Sequence, residues 1–209
     1  TLSAATNWSV NAVYARLIMQ VGPDAVVETA RRMGITSPLE PNPAIALGGL
    51  TTGVSPLEMA SAYGTIAAAG MHVAPTGVVR VTDDVGETVW EAPRLRERAL
   101  SEQVAARASL MLHDVIEQGT GRGAGIGSWA AGKTGTTQQW RDAWFVGYAG
   151  RLTTAVWVGY AEGQIAMTDV RGIRVTGGSY PASIWKRFME QAVPLAGGAA
   201  GDADLASAS

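Results

Sequence analysis

Cysteine is missing from this chain of 209 residues, and histidine is scarce. The absence of cysteine excludes disulfide scaffolds, thiol catalysis and cysteine-based metal sites. With only His72 and His113, a zinc site would depend on carboxylates, and a Ser-His-Asp triad is poorly supplied. We therefore expect no metal site. We expect no cofactor either.

Charge is also low, and its two signs nearly balance. Charged residues make up 16% of the chain, with 16 Lys and Arg against 18 Asp and Glu. A nucleic-acid binder normally presents a basic face, so we expect no nucleic-acid partner. No apolar run approaches the roughly 20 residues of a membrane-spanning helix. Hydrophobic residues nevertheless reach 47%, which is enough for a sizeable core in one domain.

The first third of the chain carries helix signals. Apolar residues recur at helical spacing from Val13 to Val21, and Gly22 follows as a C-cap. A second helix is predicted over Pro23–Arg32. Ser55-Pro-Leu-Glu58 is a capping box with proline at the first helical position, so a third helix is expected to start there.

The remainder combines strands and helices. We predict a hairpin over Val78–Glu91, a helix from Ser101, strands over Trp129–Thr137, Ala143–Tyr148 and Thr154–Tyr160, and a helix over Pro181–Val193. The residues from Leu195 onward are of low complexity, which predicts a disordered tail over 195–209 after a domain spanning 1–194. Helices, then an antiparallel sheet, then a terminal helix are typical of an α+β fold with helices packed on one sheet.

One segment matches a phosphate-binding pattern. Residues 127–134, GSWAAGKT, fit G-x-x-x-x-G-K-[ST]. That pattern has a mechanism only between an apolar strand and a helix, whereas here a glycine-rich stretch precedes it and a β-rich run follows. We interpret the match as a coincidence.

The overlapping segment Lys133-Thr-Gly-Thr-Thr137 has a second interpretation, as an edge strand lining a cleft. Side chains alternate along a strand, so Thr134 and Thr136 face the same side. Gly135 lets another backbone or a ligand approach closely. Such a strand suits an anionic substrate, while a solvated edge strand with a protective lysine is the alternative.

Ser9-Val-Asn11 lies 124 positions before Lys133. Its polar side chains could project from a turn between helices into a shared site. Serine and asparagine near a helix start are more often caps, so both interpretations stay open.

Six segments follow one another in a recognisable order. They are Ser9–Asn11, Ser55–Tyr63, Gly119–Gly121, Lys133–Thr137, Asp142–Tyr148 and Pro181–Trp185. In this order they resemble the penicillin-binding proteins, most closely the transpeptidase domain of their bifunctional class A type. The resemblance runs from the first residues to about Val193. It implies the serine β-lactamase and penicillin-binding-protein fold, of which this chain would be the C-terminal portion.

The resemblance implies a serine acyltransferase that cross-links peptidoglycan. In this family the serine of an S-x-x-K motif attacks the D-Ala-D-Ala bond of one stem peptide, and an amine of a second stem peptide accepts the acyl group. β-Lactams mimic the dipeptide. The implied partners are therefore stem peptides and β-lactams, and the implied location is the outer face of the cytoplasmic membrane, with an anchor outside this chain.

Site residues follow from the resemblance by matching position. Ser9 would relay a proton to the leaving amine, and Asn11 would hold the substrate's peptide group. Lys133 would supply positive charge to the Ser9 hydroxyl and to the substrate carboxylate. Thr134 and Thr136 would bind that carboxylate, Gly135 and Thr137 would complete the binding strand, and the Thr136 N–H would be one oxyanion donor.

The departure from the family pattern concerns the nucleophile. We expect this chain to contain no S-x-x-K tetrad, either before Ser9 or after it. We expect the nucleophile, its lysine base and the second oxyanion donor on an upstream segment or another chain, so this chain alone would be inactive. Two alternatives stay open. One is a non-catalytic binding module of the same fold. The other is a serine β-lactamase, for which Glu40-Pro-Asn42 has the wrong spacing to supply E-x-x-L-N.

Overall fold

The computed structural model describes residues 1–93 and 95–197, and it is an α+β fold. Three short 3₁₀ helices lie at Pro43–Leu47, Arg122–Ala124 and Gln138–Trp140. The α-helices are α1 Leu2–Asn7, α2 Asn11–Val21, α3 Pro23–Arg32, α4 Pro56–Ala67, α5 Glu102–Glu117 and α6 Tyr180–Leu195. The strands are β1 Met71–His72, β2 Arg80–Thr82, β3 Thr88–Glu91, β4 Glu97–Arg98, β5 Ala131–Thr136, β6 Asp142–Ala149 and β7 Leu152–Gly159.

A three-stranded antiparallel sheet in the order β5-β6-β7 forms the second half of the fold. Within the described part of the chain β5 has no partner on its outer side, as an edge strand requires. The three predicted strands are confirmed, and Gly150, whose φ is +54°, lies in the turn between β6 and β7. Lys133 stands opposite Val146 and Thr136 opposite Ala143 in the register of β5 and β6.

Helix α4 begins with the predicted capping box. The Ser55 hydroxyl accepts from the Glu58 amide, and the Glu58 carboxylate accepts from the Ser55 amide and hydroxyl. The same carboxylate also accepts from the amides and hydroxyls of Thr36 and Ser37. Burial acts to raise the pKa of Glu58, but the hydrogen bonds from Ser55 and Ser37 outweigh it, and the pKa lies well below its usual range.

The main core lies between the sheet and α6. Trp185 and Met189 of α6 and Phe145 of β6 are fully buried and contact one another in one cluster. The predicted helix over Pro181–Val193 is confirmed, but its neighbouring apolar residues Ile184 and Phe188 are 48% and 52% exposed. Successive residues of a helix point about 100° apart, so only one of each adjacent pair can face the sheet.

Three of these α-helices and strands were not predicted, namely helix α1 and the strands β1 and β4, which pair with each other. Helix α6 also continues through Leu195, which the sequence assigned to the tail. Residues 198–209 of the predicted disordered tail lie outside the described residues. In residues 1–93 and 95–197, no helix is both long enough and apolar enough to cross a lipid bilayer.

Candidate active site

Ser9 lies in the short link between α1 and α2. Its φ is +53°, and its amide donates to the Thr6 carbonyl at 3.2 Å, so the link is a tight left-handed turn. The N-cap of α2 is Val10, which makes no side-chain capping bond. The capping interpretation of Ser9 is therefore wrong, and its exposed side chain is free for another contact.

That contact is with Lys133. The Lys133 ammonium donates to Ser9 Oγ at 2.9 Å and to the Thr134 carbonyl at 3.0 Å. The structure thus brings together two residues that are 124 positions apart, as the order of motifs predicts. Because the amine of Lys133 donates to Ser9, the hydroxyl proton of Ser9 is left to point elsewhere.

Lys133 is half-buried and unlike a solvated lysine of an edge strand. Burial lowers its pKa from 10.5 to about 8. No ion pair between described residues includes Lys133, so no carboxylate offsets the desolvation of its charge. The alternative of a solvated edge-strand lysine is therefore wrong for this residue.

Thr134 and Thr136 follow on the same strand, and the hydroxyls of both make hydrogen bonds within the chain. Thr134 is 9% exposed, and its Oγ1 lies 2.6 Å from Thr120 Oγ1 and 3.4 Å from the Lys133 ammonium. Thr136 is exposed, and its hydroxyl oxygen accepts from the Gly177 amide at 2.9 Å.

The other predicted site residues are less closely joined to Lys133. Asn11 is the first residue of α2, is exposed, and makes no side-chain hydrogen bond to another described residue. The Thr137 hydroxyl accepts from the Asp142 amide at 2.8 Å, which closes the connection between β5 and β6. A Cβ on Gly135 would lie 3.2 Å from the Cβ of Trp144, so glycine gives this side chain room on the neighbouring strand.

A cavity of about 720 Å³ adjoins this strand. Lys133, Thr134 and Thr136 line one side of it together with Trp144 and Trp157 of the sheet. Apolar side chains from α3, α4 and the segment between them line the other side, among them Val26, Ile35, Leu39, Ile45 and Met59. The polar strand therefore meets an apolar space large enough to hold several side chains.

The prediction that the chain has no S-x-x-K tetrad is wrong, because Ser183-Ile-Trp-Lys186 is one. It lies downstream of Lys133, in the reverse of the family order. Ser183 is exposed on α6, Lys186 is ion-paired with Glu190 at 3.7 Å, and neither lines the cavity. The structure gives this tetrad no place in the cluster around Lys133.

The fold also decides the interpretation of two other sequence patterns, the phosphate-binding pattern and the segment around Glu40. Gly132, Lys133 and Thr134 of the phosphate-binding pattern lie inside β5 rather than in a loop before a helix, so the match is a coincidence. The Glu40 carboxylate accepts from the Thr51 hydroxyl at 2.8 Å and does not line the cavity.

Comparison with known proteins places this geometry in a family. Residues 1–190 match the family model described as penicillin binding protein transpeptidase domain. The chain belongs to this family. It is 34% identical over 198 residues to penicillin-binding protein 1F of Bacillus subtilis (strain 168). These aligned residues cover 92% of the chain and 27% of that protein. It is 32% identical over 216 residues to penicillin-binding protein 1A of Mycobacterium tuberculosis, with 92% and 26% covered. The chain thus spans about a quarter of the length of these curated relatives.

Solved structures agree with the family assignment. The structure of the PonA1 protein from M. tuberculosis in complex with penicillin V superposes with a TM-score of 0.83 at 31% identity, covering 92% of this chain and 56% of that one. The D,D-transpeptidase domain of a peptidoglycan glycosyltransferase from Eggerthella lenta gives a TM-score of 0.73 at 26% identity, with 94% and 54% covered. The predicted fold and the predicted resemblance to class A penicillin-binding proteins are confirmed.

Proposed function

We propose that this chain forms the C-terminal part of a D,D-transpeptidase domain that cross-links peptidoglycan through a serine acyl-enzyme. The observation that carries the proposal is the 2.9 Å contact between Lys133 Nζ and Ser9 Oγ in a member of this family. The substrates are a stem peptide ending in D-Ala-D-Ala and an acceptor amine, and β-lactams take the donor's place. The domain works at the outer face of the cytoplasmic membrane.

The nucleophile comes from an upstream segment or a second chain carrying S-x-x-K. The cavity beside Lys133 supports this, because its apolar wall can pack side chains of that segment while its polar edge, formed by Lys133, Thr134 and Thr136, is left to the substrate. A segment seated there would bring a serine and a lysine base next to a strand that already carries hydroxyls and a cation.

Ser9 and Lys133 then supply a proton to the leaving amine. When the nucleophilic serine attacks, its proton passes to the lysine base, and the departing amine needs a proton of its own. Ser9 accepts a hydrogen bond from Lys133 and can direct its hydroxyl proton to that amine. A Lys133 pKa near 8 suits this relay, because the amine can give and regain a proton near neutral pH.

The strand itself binds the substrate. The carboxylate of D-Ala meets the hydroxyls of Thr134 and Thr136 and the charge of Lys133, Asn11 holds the peptide group, and the Thr136 N–H helps to stabilise the oxyanion. These donors are fixed on a strand before charge develops, which is the condition for effective electrostatic stabilisation.

Labelling with a fluorescent penicillin tests the proposal. The full-length protein should be labelled covalently, and the 209-residue chain alone should not be, because it lacks a nucleophile and base near Lys133. A Ser183→Ala variant of the full-length protein should be labelled as the parent is, since Ser183 lies away from the cavity.

The other outcomes each contradict the proposal in a different way. Label on the isolated chain that disappears in Ser183→Ala would assign the nucleophile to Ser183. Reversible binding without a covalent adduct by the full-length protein would support the non-catalytic module. Rapid hydrolysis of the penicillin would support a β-lactamase.

A further inference from the structure

We propose that Thr120 and Gly177 are positioning residues that hold the hydroxyl oxygens of Thr134 and Thr136 as acceptors, so that both hydroxyl protons are left for the carboxylate of the substrate. The inference rests on the proposed function and deepens it. Neither residue belongs to the S-x-N or K-T-G segments.

The argument begins with the proton count of a hydroxyl. A threonine hydroxyl has one proton to donate and two lone pairs to accept with. A carboxylate accepts only, so Thr134 and Thr136 must both donate to bind it. A neighbour that accepts from either hydroxyl would compete with the substrate, whereas a neighbour that donates leaves the proton free.

For Thr136 the donor is unambiguous. The Gly177 amide donates to Thr136 Oγ1 at 2.9 Å, and an amide N–H cannot accept. Gly177 reaches this position because it has no side chain. A Cβ there would collide with the Trp144 carbonyl oxygen and would lie 2.6 Å from that of Gly135.

For Thr134 the contacts with its two neighbours allow the same arrangement. The Lys133 ammonium can only donate, and it lies 3.4 Å from Thr134 Oγ1. Thr120 Oγ1 lies at 2.6 Å, where either hydroxyl could be the donor. If Thr120 donates, Thr134 Oγ1 accepts from both neighbours, and its own proton points to the cavity that it lines.

Thr120 is also held in place by the end of helix α1, which precedes Ser9. Its amide donates to the Asn7 carbonyl at 3.0 Å, and Asn7 ends the helix that precedes Ser9. The neighbouring Gly119 permits this approach, because a Cβ there would collide with the same carbonyl. Thr120 therefore connects the backbone that carries Ser9 to the side chain of Thr134.

The test compares two ligands in the full-length protein. A penicillin carries the carboxylate, and its methyl ester lacks that charge. Thr120→Val removes the hydroxyl but keeps the shape. It should slow acylation by the penicillin about tenfold, the effect of one lost hydrogen bond, with little change for the ester. Thr120→Ser restores the hydroxyl and should acylate close to the parent rate. Gly177→Ala displaces the Gly177 amide, because a Cβ there would collide with the Trp144 carbonyl oxygen, so it should lower the melting temperature as well as the rate with the penicillin.

Thermal unfolding of each variant separates positioning from folding. If Thr120→Val slows acylation equally for the penicillin and the ester, Thr120 has only a structural role and the inference is overturned. An unchanged acylation rate with the penicillin would also overturn the inference. If Thr120→Val does not fold, Thr120→Ala removes the same hydroxyl and takes its place in the comparison. A parent protein that penicillin does not label would overturn the proposed function and this inference together, whereas a labelled parent with an unselective variant overturns the inference alone.

Discussion

The half-buried amine of Lys133 should titrate well below an ordinary lysine. Burial lowers its pKa from 10.5 to about 8, and no ion pair between described residues offsets the effect. That difference corresponds to about 3 kcal/mol of lost preference for the charged form, at about 1.4 kcal/mol for each tenfold change in acidity. Half of the Lys133 side chains should therefore be neutral near pH 8.

The same shift makes the stability of the chain depend on pH. Below about pH 8 the folded and the unfolded chain both carry the charge, and the folded state bears the cost of burying it. Between about pH 8 and 10.5 the folded chain releases the proton while the unfolded chain keeps it, so the free energy of unfolding should rise with pH. Burial also raises the pKa of Tyr148, to about 12, which opposes folding above about pH 10. The rise should be measured between about pH 7.5 and 9.5.

Carbon-13 NMR of labelled lysine measures this directly, because Lys133 and Lys186 are the only lysines in the sequence. A Lys133→Met variant assigns the two Cε signals by removing one of them. The Lys133 signal should titrate with a midpoint near 8 in the parent chain. The variant should also lose the rise in stability with pH. A Lys133 midpoint near 10.4, the value of a solvated lysine, would refute the argument from burial.

Three further changes have expected outcomes. Lys133→Ala in the full-length protein should slow acylation by penicillin on the order of 10²-fold with little loss in melting temperature, and equal rates would reduce Lys133 to a structural role. Glu58→Gln should lower the free energy of unfolding by about 1 kcal/mol at pH 7, measured in urea, because it weakens the capping box. That difference should shrink as the pH falls below about 4.5, since a carboxyl with a lowered pKa stabilises the fold only while ionised. Met189→Ala should cost about 2–5 kcal/mol, whereas the half-exposed Phe188→Ala should cost much less, and similar costs would contradict the assigned core.

Much of the fold could be predicted because local chemistry marks where elements begin and end. Gly22 ends α2, and Ser55 with Glu58 starts α4, through bonds that form within a few residues of sequence. Helix α1 escaped prediction because its six residues are too few to show an apolar periodicity. The buried face of α6 could not be predicted either, since Ile184 and Trp185 are both apolar and only packing on the sheet selects Trp185.

Only the site residues that belong to family motifs could be predicted from the sequence. The order of segments brought Ser9 and Lys133 together, although nothing in local sequence relates them. Thr120 lay in a matched segment without a role, and Gly177 lay outside every match. Their contacts join positions 14 and 41 residues apart, and each is a single hydrogen bond between segments with no periodic pattern. Such a contact leaves no signal in composition or spacing, so it emerges only from the folded chain.

Three hydroxyls around Lys133 share one arrangement, in which the oxygen lies within reach of donors from the chain itself. Ser9 accepts from Lys133, Thr136 accepts from Gly177, and Thr134 lies within reach of two donors. The hydroxyl protons of Ser9 and Thr136 are therefore available to a ligand, and that of Thr134 is available if Thr120 donates to it. Under the proposed function, binding the substrate carboxylate then requires little reordering of the site, because the donors are fixed by β5 and by its neighbours. Substrate affinity should then depend on the residues behind the strand as well as on the residues that touch the substrate.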